Sequence, residues 1–421
     1  MNRLLQEIAD AGLVSPALTV TSPDGSPVDG MPFASSGTWG SCPWEIDGDG
    51  TLTVRPGTGE DTHGRSPWNP YFTSVKRVVF AGDGNAKVMA PPDCSHLFDG
   101  LERLESIDLS GFDTSKAEDM SWMFMKCMSL EFLDVSNLDT SRVRSMDGMF
   151  AVCPSLKPLD LSGFDTSKVK SMDAMFSGCL SLESLDLSGF DTSRVKSMAT
   201  MFLGCSSLGS LDLAGFDTSK VEDMSGMFCS CSSFGELDLS GFDTSRVKDM
   251  SRMFCRCSSL GSLDLSGFDT SRVKDMSCMF SGCHSFGKLD LSTFDTSKVD
   301  DMSKMFYDCR SLESLDLTGF DTSKVKDMSV MFFGCHLLGS LDFSGFDTSE
   351  VRCMEGMFSF CSSLIHLDLS GFDTSKARDM SQMFNNCYLL ESLDLSGFDV
   401  SEKDDAQNMF YGCTRLRSLV I

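Results

Sequence analysis

Ser184-Leu185-Asp186-Leu187-Ser188-Gly189-Phe190-Asp191-Thr192-Ser193-Arg194-Val195-Lys196-Ser197-Met198, followed by Met201-Phe202 and Cys205, recurs along the chain with a period of 26 residues and no insertion. Phe124, Phe150, Phe176, Phe202 and Phe228 lie on one lattice that continues to Phe410, and Phe98 opens a degenerate leading copy. Self-similarity at such a period is the signature of a solenoid, in which each unit buries its apolar face against the next.

Within one repeat, Leu182, Leu185 and Leu187 follow L-x-x-L-x-L. The alternation at Leu185-Asp186-Leu187 has period two, so both leucines face inward and Asp186 outward, as in a short strand. Gly189 allows a turn, Phe190 points in again, and Asp191-Thr192-Ser193 suits an Asx turn. Val195, Met198 and Met201 are spaced by three, which predicts a short helix or 3₁₀ segment closing the coil. The expected class is therefore an α/β repeat: a leucine-rich-repeat-like parallel solenoid with a small β-rich N-terminal cap. Coils stacked by parallel strand pairing about 4.8 Å apart would bury each Leu, Phe, Met and Cys against its copies. Most of the 33 phenylalanines and 28 methionines sit in such columns, so the methionine stripe reads as core rather than as a ligand site.

Residues 1–32 read as an N-terminal short helix and linker, 33–97 as the β-rich cap, and 98–421 as a solenoid of about twelve 26-residue repeats. Asn2 to Gly12 suits an amphipathic helix, but Glu7 and Asp10 interrupt the apolar run that a secretory signal needs. Trp44-Glu45-Ile46, Asp47-Gly48-Asp49-Gly50 and Thr51-Leu52-Thr53-Val54 predict a β-hairpin. The Asp-Gly-Asp-Gly turn is no EF-hand, because Thr51 stands where a third ligand belongs. Ser74 to Phe80 is expected to be the strand that first lies against the solenoid, and Leu416, Leu419 and Ile421 a final strand with an open edge, which invites end-to-end self-association.

Two blocks of sequence resemble the BspA-family leucine-rich-repeat surface proteins of bacteria. Ser36-Gly37-Thr38-Trp39-Gly40, Trp44, Asp49-Gly50-Thr51-Leu52-Thr53-Val54, Gly57-Thr58-Gly59, Pro67-Trp68 and Val75-Lys76-Arg77-Val78 are similar to the block preceding that family's repeats. The repeat Met-Phe-x-x-Cys-x-x-Leu-x-x-Leu-Asp-Leu-Ser-x-Phe-Asp-Thr-Ser is similar to its Met-rich repeat type. The resemblance implies cell-surface display or secretion, and adhesive binding to host or neighbouring-cell proteins.

Of the 18 cysteines, twelve form one column from Cys127 to Cys413. In-register thiols point in parallel rather than at one another, so they read as buried free thiols. No C-x-x-C spacing suggests zinc. Cys229 with Cys231, and Cys255 with Cys257, are two apart and are not obvious bridges.

Two aspartate columns dominate the net charge of −26: Asp108 to Asp394 on the strands and Asp113 to Asp399 at the turns. Like charges about 5 Å apart in water repel by roughly 1 kcal/mol per neighbour. The basic column from Lys116 to Lys376 is the nearest offset, and weak divalent-cation binding along the strand aspartates is expected; no other cofactor is. The turn aspartates should bond backbone amides, whereas the strand aspartates have no local duty visible in sequence.

No glycine-rich phosphate loop, nucleophile elbow or clustered histidines point to an enzyme. The acidic charge excludes nucleic acid as a natural partner, and no apolar run is long enough for membrane insertion. The reading that remains is a non-enzymatic protein-binding scaffold, an adhesin-like module, with a structural spacer as the alternative. A third, ice or crystal binding on the hydroxyl column Thr114 to Thr374, is disfavoured by its charged flanks. Partner-binding candidates are Asp134, Asp160, Asp186, Asp212, Asp238 and Asp264, with the variable outward residues Phe132, Glu236, Lys288 and His366 beside them.

Overall fold

A computed structural model describes residues 35–82, 86–399 and 406–421. The expected N-terminal helix and linker over 1–32 lie outside the described residues. The chain forms a parallel β-solenoid in two compact units, Met1–Lys168 with Met175–Leu182, and Val169–Ala174 with Glu183–Ile421.

The first unit starts as an antiparallel meander of β1 (Ser35–Trp39), β2 (Cys42–Ile46) and β3 (Thr51–Val54). β4 (Gly57–Thr58), β5 (Arg77–Phe80), β6 (Val88–Met89), β7 (Ser106–Asp108) and β8 (Phe112–Asp113) follow. The expected hairpin is β2–β3, and its Asp47 Oδ1 accepts the N–H groups of Asp49 (3.0 Å) and Thr51 (2.8 Å), a turn rather than a calcium loop. Pairing then changes sense: β3, β5 and β7 are parallel, as are β4, β6 and β8. The buried Trp68 ring stacks on Phe98, and Phe98, Phe124, Phe150 and Phe176 continue the stack at 5.2–5.8 Å between centroids. The cap thus hands its aromatic core to the repeat column.

In the second unit the same column runs from Phe202 to Phe410; Phe202 to Phe306 stack at 5.8–5.9 Å, with rings within 6–9° of parallel. β9 (Lys288–Leu289) pairs with β10 (Ser314–Leu315), and β11 (His366–Asp368) with β12 (Ser392–Asp394) and β13 (Ser418–Val420), all parallel and one period out of step.

The α/β expectation needs correction. Among the described residues the one helical segment is a 3₁₀ turn at Asn69–Tyr71. The coil is closed instead by turns whose amides alternate in direction. Met253, Cys255 and Cys257 donate back to Met250, Arg252 and Phe254 at 3.0–3.2 Å. Between them Met250, Arg252, Phe254 and Arg256 donate to Asp275, Ser277, Met279 and Ser281 of the next coil at 2.6–3.1 Å. Left-handed backbone at Arg252 (φ 58°) and Arg256 (φ 60°) interrupts the helical sense and swings alternate N–H groups out of the coil. Spacing by three fits such turns as well as it fits a helix. The sheet-side bonds vary more from coil to coil, from 2.8 Å for Glu391 N–H to Ile365 O to 3.5 Å for Gly261 N–H to Gly235 O.

A second ladder runs through the threonines. Thr244 is 1% exposed; its hydroxyl donates to Asp269 O (3.0 Å) and accepts the Asp269 N–H (2.8 Å). The column from Thr114 to Thr374 is buried, so it offers no array to ice or a crystal face. The column cysteines are free and buried apart from the half-buried Cys413, and they do more than fill space. Cys257 Sγ donates to Phe228 O at 3.1 Å, and its column mates repeat the bond one coil apart.

Thr244→Val keeps the shape but strands one N–H and one C=O in the core, whereas Thr244→Ser keeps both bonds. The valine variant should lose about 2 kcal/mol in denaturant unfolding and the serine variant much less. Equal losses would show that the hydroxyl ladder contributes nothing.

Candidate functional site

The outward-facing residues singled out above are all exposed. In the first unit Asp134 and Asp160 stand in one column, with Phe132 71% exposed beside it. In the second, Asp186, Asp212, Asp238 and Asp264 form the column, with Glu236, Lys288 and His366 on its flank. Each aspartate is held outward by the alternation that turns the apolar residues on either side of it inward.

The structure corrects the idea that these aspartates lack a local duty. Oδ1 of Asp134, Asp160, Asp186, Asp212, Asp238 and Asp264 accepts the N–H of the second residue on, at 2.9–3.0 Å. The turn aspartates do the same, as in Ser193 N–H to Asp191 (2.9 Å). These repeat strands therefore end in Asx turns. Hydrogen bonds from the Ser266 amide and side chain hold the Asp264 carboxyl below its ordinary value, and those from Ser240 hold Asp238 low even with Asp264 alongside. Amide donors outweigh like-charge repulsion at these two carboxyls. Among the described residues no three His, Cys, Asp or Glu side chains gather as a metal site requires.

The basic column acts on the turn aspartates of the two columns it was expected to offset. Lys168, Arg194 and Lys220 lower the turn aspartates Asp165, Asp191 and Asp217, after the larger effect of the serine two residues on. Ion pairs one coil apart also lie in another column, Glu222–Lys248 (2.5 Å) and Asp300–Lys326 (2.9 Å), and Lys376 of the basic column pairs with Glu350. Asp308 forms a further cluster, gripped by Arg310 at 2.9 Å and His284 at 3.2 Å.

A third acidic column was missed in the sequence. Asp223, Asp249, Asp275, Asp301 and Asp327 stand on consecutive coils joined by single parallel bridges, each half-buried. Asp-Met-Ser, repeated at Asp223, Asp249, Asp275, Asp301 and Asp327, was the available signal. Burial pushes the Asp249 and Asp301 carboxyls up, with Asp275 adding repulsion, although Ser251 and Ser303 amides bond them at 2.9 and 2.8 Å.

The sheet face carries shallow relief rather than a deep pocket. A groove of about 410 Å³ crosses β11, β12 and β13, lined by His366, Asp368, Ser392, Asp394 and Ser418. His366 Nδ1 lies 2.7 Å from Ser392 Oγ at its rim. A smaller hollow of about 70 Å³ lies between Asp264, Ser266, Asp290 and Ser292. No helix among the described residues is long and apolar enough to cross a membrane.

The family model described as "Mycoplasma protein of unknown function, DUF285" matches residues 92–210, 159–260, 206–315 and 312–420. The chain belongs to this family. Overlapping placements are what a periodic sequence produces. No curated protein matches the chain. Similar solved structures include a leucine rich cell surface protein from Faecalibacterium prausnitzii, with 15% identity, 92% of this chain and 94% of that one covered, and a TM-score of 0.39. The pneumococcal vaccine antigen PcpA is also similar, with 13% identity, 93% and 100% covered, and a TM-score of 0.31. The Toll–Spatzle complex of Drosophila gives 12% identity, 94% and 66% covered, and a TM-score of 0.24. These superpositions are loose, and the solenoid assignment stands on the chain's own coils.

The pH dependence of stability has two opposite parts. Asp249 and Asp301 bind protons more readily folded than unfolded, so stability should rise as pH falls from neutral through their raised values. The depressed Asx-turn carboxyls contribute stability above the ordinary carboxylate range, which is lost as pH falls through their lowered values. The melting temperature should therefore peak under mildly acidic conditions. Asp249→Asn with Asp301→Asn, which keeps the amide acceptors, should raise it at neutral pH and flatten the rise. A neutral-pH melting point unchanged by the double variant would contradict this.

Proposed function

We propose that this chain is a non-enzymatic protein-binding scaffold of the BspA type, an adhesin-like module displayed on or secreted from a bacterial cell. Its sheet face takes a basic protein surface of a host or neighbouring cell. The observation that carries the reading is the exposed acidic column of the second unit, of which Asp186 to Asp264 are part and which continues past the shallow hollow at Asp264 and Asp290. Charge of one sign spread along a face steers and orients a partner of opposite charge. Glu236, Lys288 and His366, which depart from the serine usual at that lattice position, give such a face a local identity. The resemblance of the Met-rich repeat and of the block before it to BspA-family surface proteins supports both the adhesive role and the surface location. In the first unit Phe132, 71% exposed beside Asp134, is a contact anchor of the kind interfaces favour.

A specific observation favours the spacer as second reading: the Asx turns explain a uniform aspartate column without any ligand. Charge and turn can be separated. The triple variant Asp212→Asn, Asp238→Asn and Asp264→Asn keeps the amide acceptors and removes three charges. Binding to basic extracellular-matrix and mucosal proteins, measured at low salt, should weaken roughly tenfold or more, equivalent to about 1.4 kcal/mol. Unchanged binding would move the contact off this face. No binding by the unaltered protein across the panel would establish the spacer.

A further inference from the structure

The chain is acidic as a whole, yet one strip of its second unit is cationic. Val247 and Val273 are buried, and the residues on either side of each, Arg246 and Lys248, Arg272 and Lys274, are exposed. The same positions of the other coils are mostly basic. The lysine position is fixed by its own backbone. Lys248 N–H donates to Glu222 O at 2.9 Å, and Lys274 N–H to Lys248 O at 2.8 Å; the ladder continues through Lys326 and Arg352 to Arg378. One charged position per coil is thereby set in register. Acids interrupt the strip at Glu222, Asp300 and Glu350, and a lysine one coil on takes each: Lys248 at 2.5 Å, Lys326 at 2.9 Å, and Lys376. Among the described residues no ion pair engages Arg246, Arg272 or Lys274.

The acidic sheet column lies on the same coils, two Asx turns away: in one coil these are the turns of Asp238 and Asp243, closed on Ser240 and Ser245. The charged groups acting on Asp238 and Asp290 are their own column mates, Asp264 for the first and Asp316 and Asp264 for the second. Among the described residues no ion pair joins Asp238 or Asp264 to the strip. One copy of the chain therefore carries two ladders of opposite charge that do not neutralise each other.

We infer that the acidic sheet column of one copy docks on the cationic strip of a second copy, so that chains associate side by side. This deepens the reading above and rests on it: the sheet face is the contact, and the basic protein surface it takes is another copy's strip.

The period selects the partner. Column and strip belong to the same coils, so both repeat at about 5 Å, and successive charges of one meet successive charges of the other without drifting out of step. A basic surface with another spacing matches at one or two charges only. Reach favours the contact as well. The column aspartates are short, tied to amides, and flanked by small residues such as Ser262 and Ser266 beside Asp264. Arginine and lysine stems extend past the short turn aspartates that border the strip. Single exposed ion pairs contribute little, so the association is cumulative and sensitive to salt. The net charge of −26 opposes approach from a distance. In about 0.15 M salt the screening length is about 8 Å, which hides charges elsewhere on the chain but not those in contact. Because the two faces differ, the contact is heterologous and does not close on a dimer.

The test is sedimentation velocity of the full chain over a range of protein concentrations. In about 0.15 M salt the mean mass should rise with concentration past the dimer; association should weaken roughly tenfold in about 1 M salt, where the screening length is about 3 Å. Two variants separate the faces. Arg246→Gln with Arg272→Gln and Lys274→Gln discharges the strip; Asp212→Asn with Asp238→Asn and Asp264→Asn discharges the column and keeps its amide acceptors. All these positions are exposed, and melting curves check that each variant folds. Each alone should associate roughly tenfold more weakly or less. Mixed, they should form pairs that stop at two, because one copy keeps only its column and the other only its strip. Association that either variant leaves intact, that persists in high salt, or that the mixture fails to restore would overturn the inference. A monomeric unaltered chain whose sheet face still binds basic matrix proteins would overturn the inference alone; one that binds none of them would end the underlying reading too. Strip-dependent binding of a sulfated polysaccharide by a monomeric chain would assign the strip to a polyanion and overturn the inference.

Discussion

The backbone of a coil that is neither helix nor strand must place its buried N–H and C=O groups somewhere, and in this protein they go to the next coil. Alternate amides between Met250 and Arg256 donate one coil on, and the Thr244 hydroxyl completes the accounting at the opposite corner. Such bonds close only if the residue 26 positions later presents the same groups in the same place. The strict period is thus a hydrogen-bonding requirement before it is a packing one. An inserted residue would break several inter-coil bonds at once, at about 1–3 kcal/mol for each buried group left alone.

The same requirement explains what each aspartate column does. A strand that stops after three or four residues leaves amides to satisfy, and a carboxylate two residues back is the shortest available acceptor. Asp238 and Asp243 serve two corners of one coil in this way, through Ser240 and Ser245. Asp249 serves a third through Ser251, but there the coil is closed around it and burial works against its charge. One chemical group in one role is therefore stabilised at two corners and strained at the third. That difference, rather than the total charge, sets the response to acid.

Much of this was legible in the residues themselves. Phe176, Met175 and Leu182 declare a core column by spacing alone, and Asp47 to Thr51 declares a hairpin turn; both stand in the structure. The closing turns were misread because Val195, Met198 and Met201 constrain which residues face inward and say nothing about where alternate amides point. Left-handed backbone at Thr200, Arg252 and Val330 carries no residue signal, since the coils use glycine at that corner only at Gly148, Gly226 and Gly356. The Asx duty of Asp186 was hidden for a related reason: alternation gives the face of a side chain, not the amide beyond it. The third acidic column escaped because serine or cysteine replaces aspartate at Ser145, Ser171, Ser197 and Cys353.

Strict periodicity also tells where to look for function. At a position fixed by inter-coil bonding, a residue is explained by the lattice whatever its chemistry, as Cys257 is by the carbonyl of Phe228. At a position the lattice leaves free, a run of two or three like residues needs its own cause. Cys229 and Cys255 are such a run, and so are Tyr307 and Phe333, which follow them in the same column with rings stacked at 4.8 Å. Leu203, Ser281, Ser359 and Asn385 at the same position show that no single side chain is required there. The surface beside the phenylalanine column is therefore the part of the coil on which local chemistry can be written without disturbing the stack, and the sheet face, tied to its Asx turns, has less of that freedom.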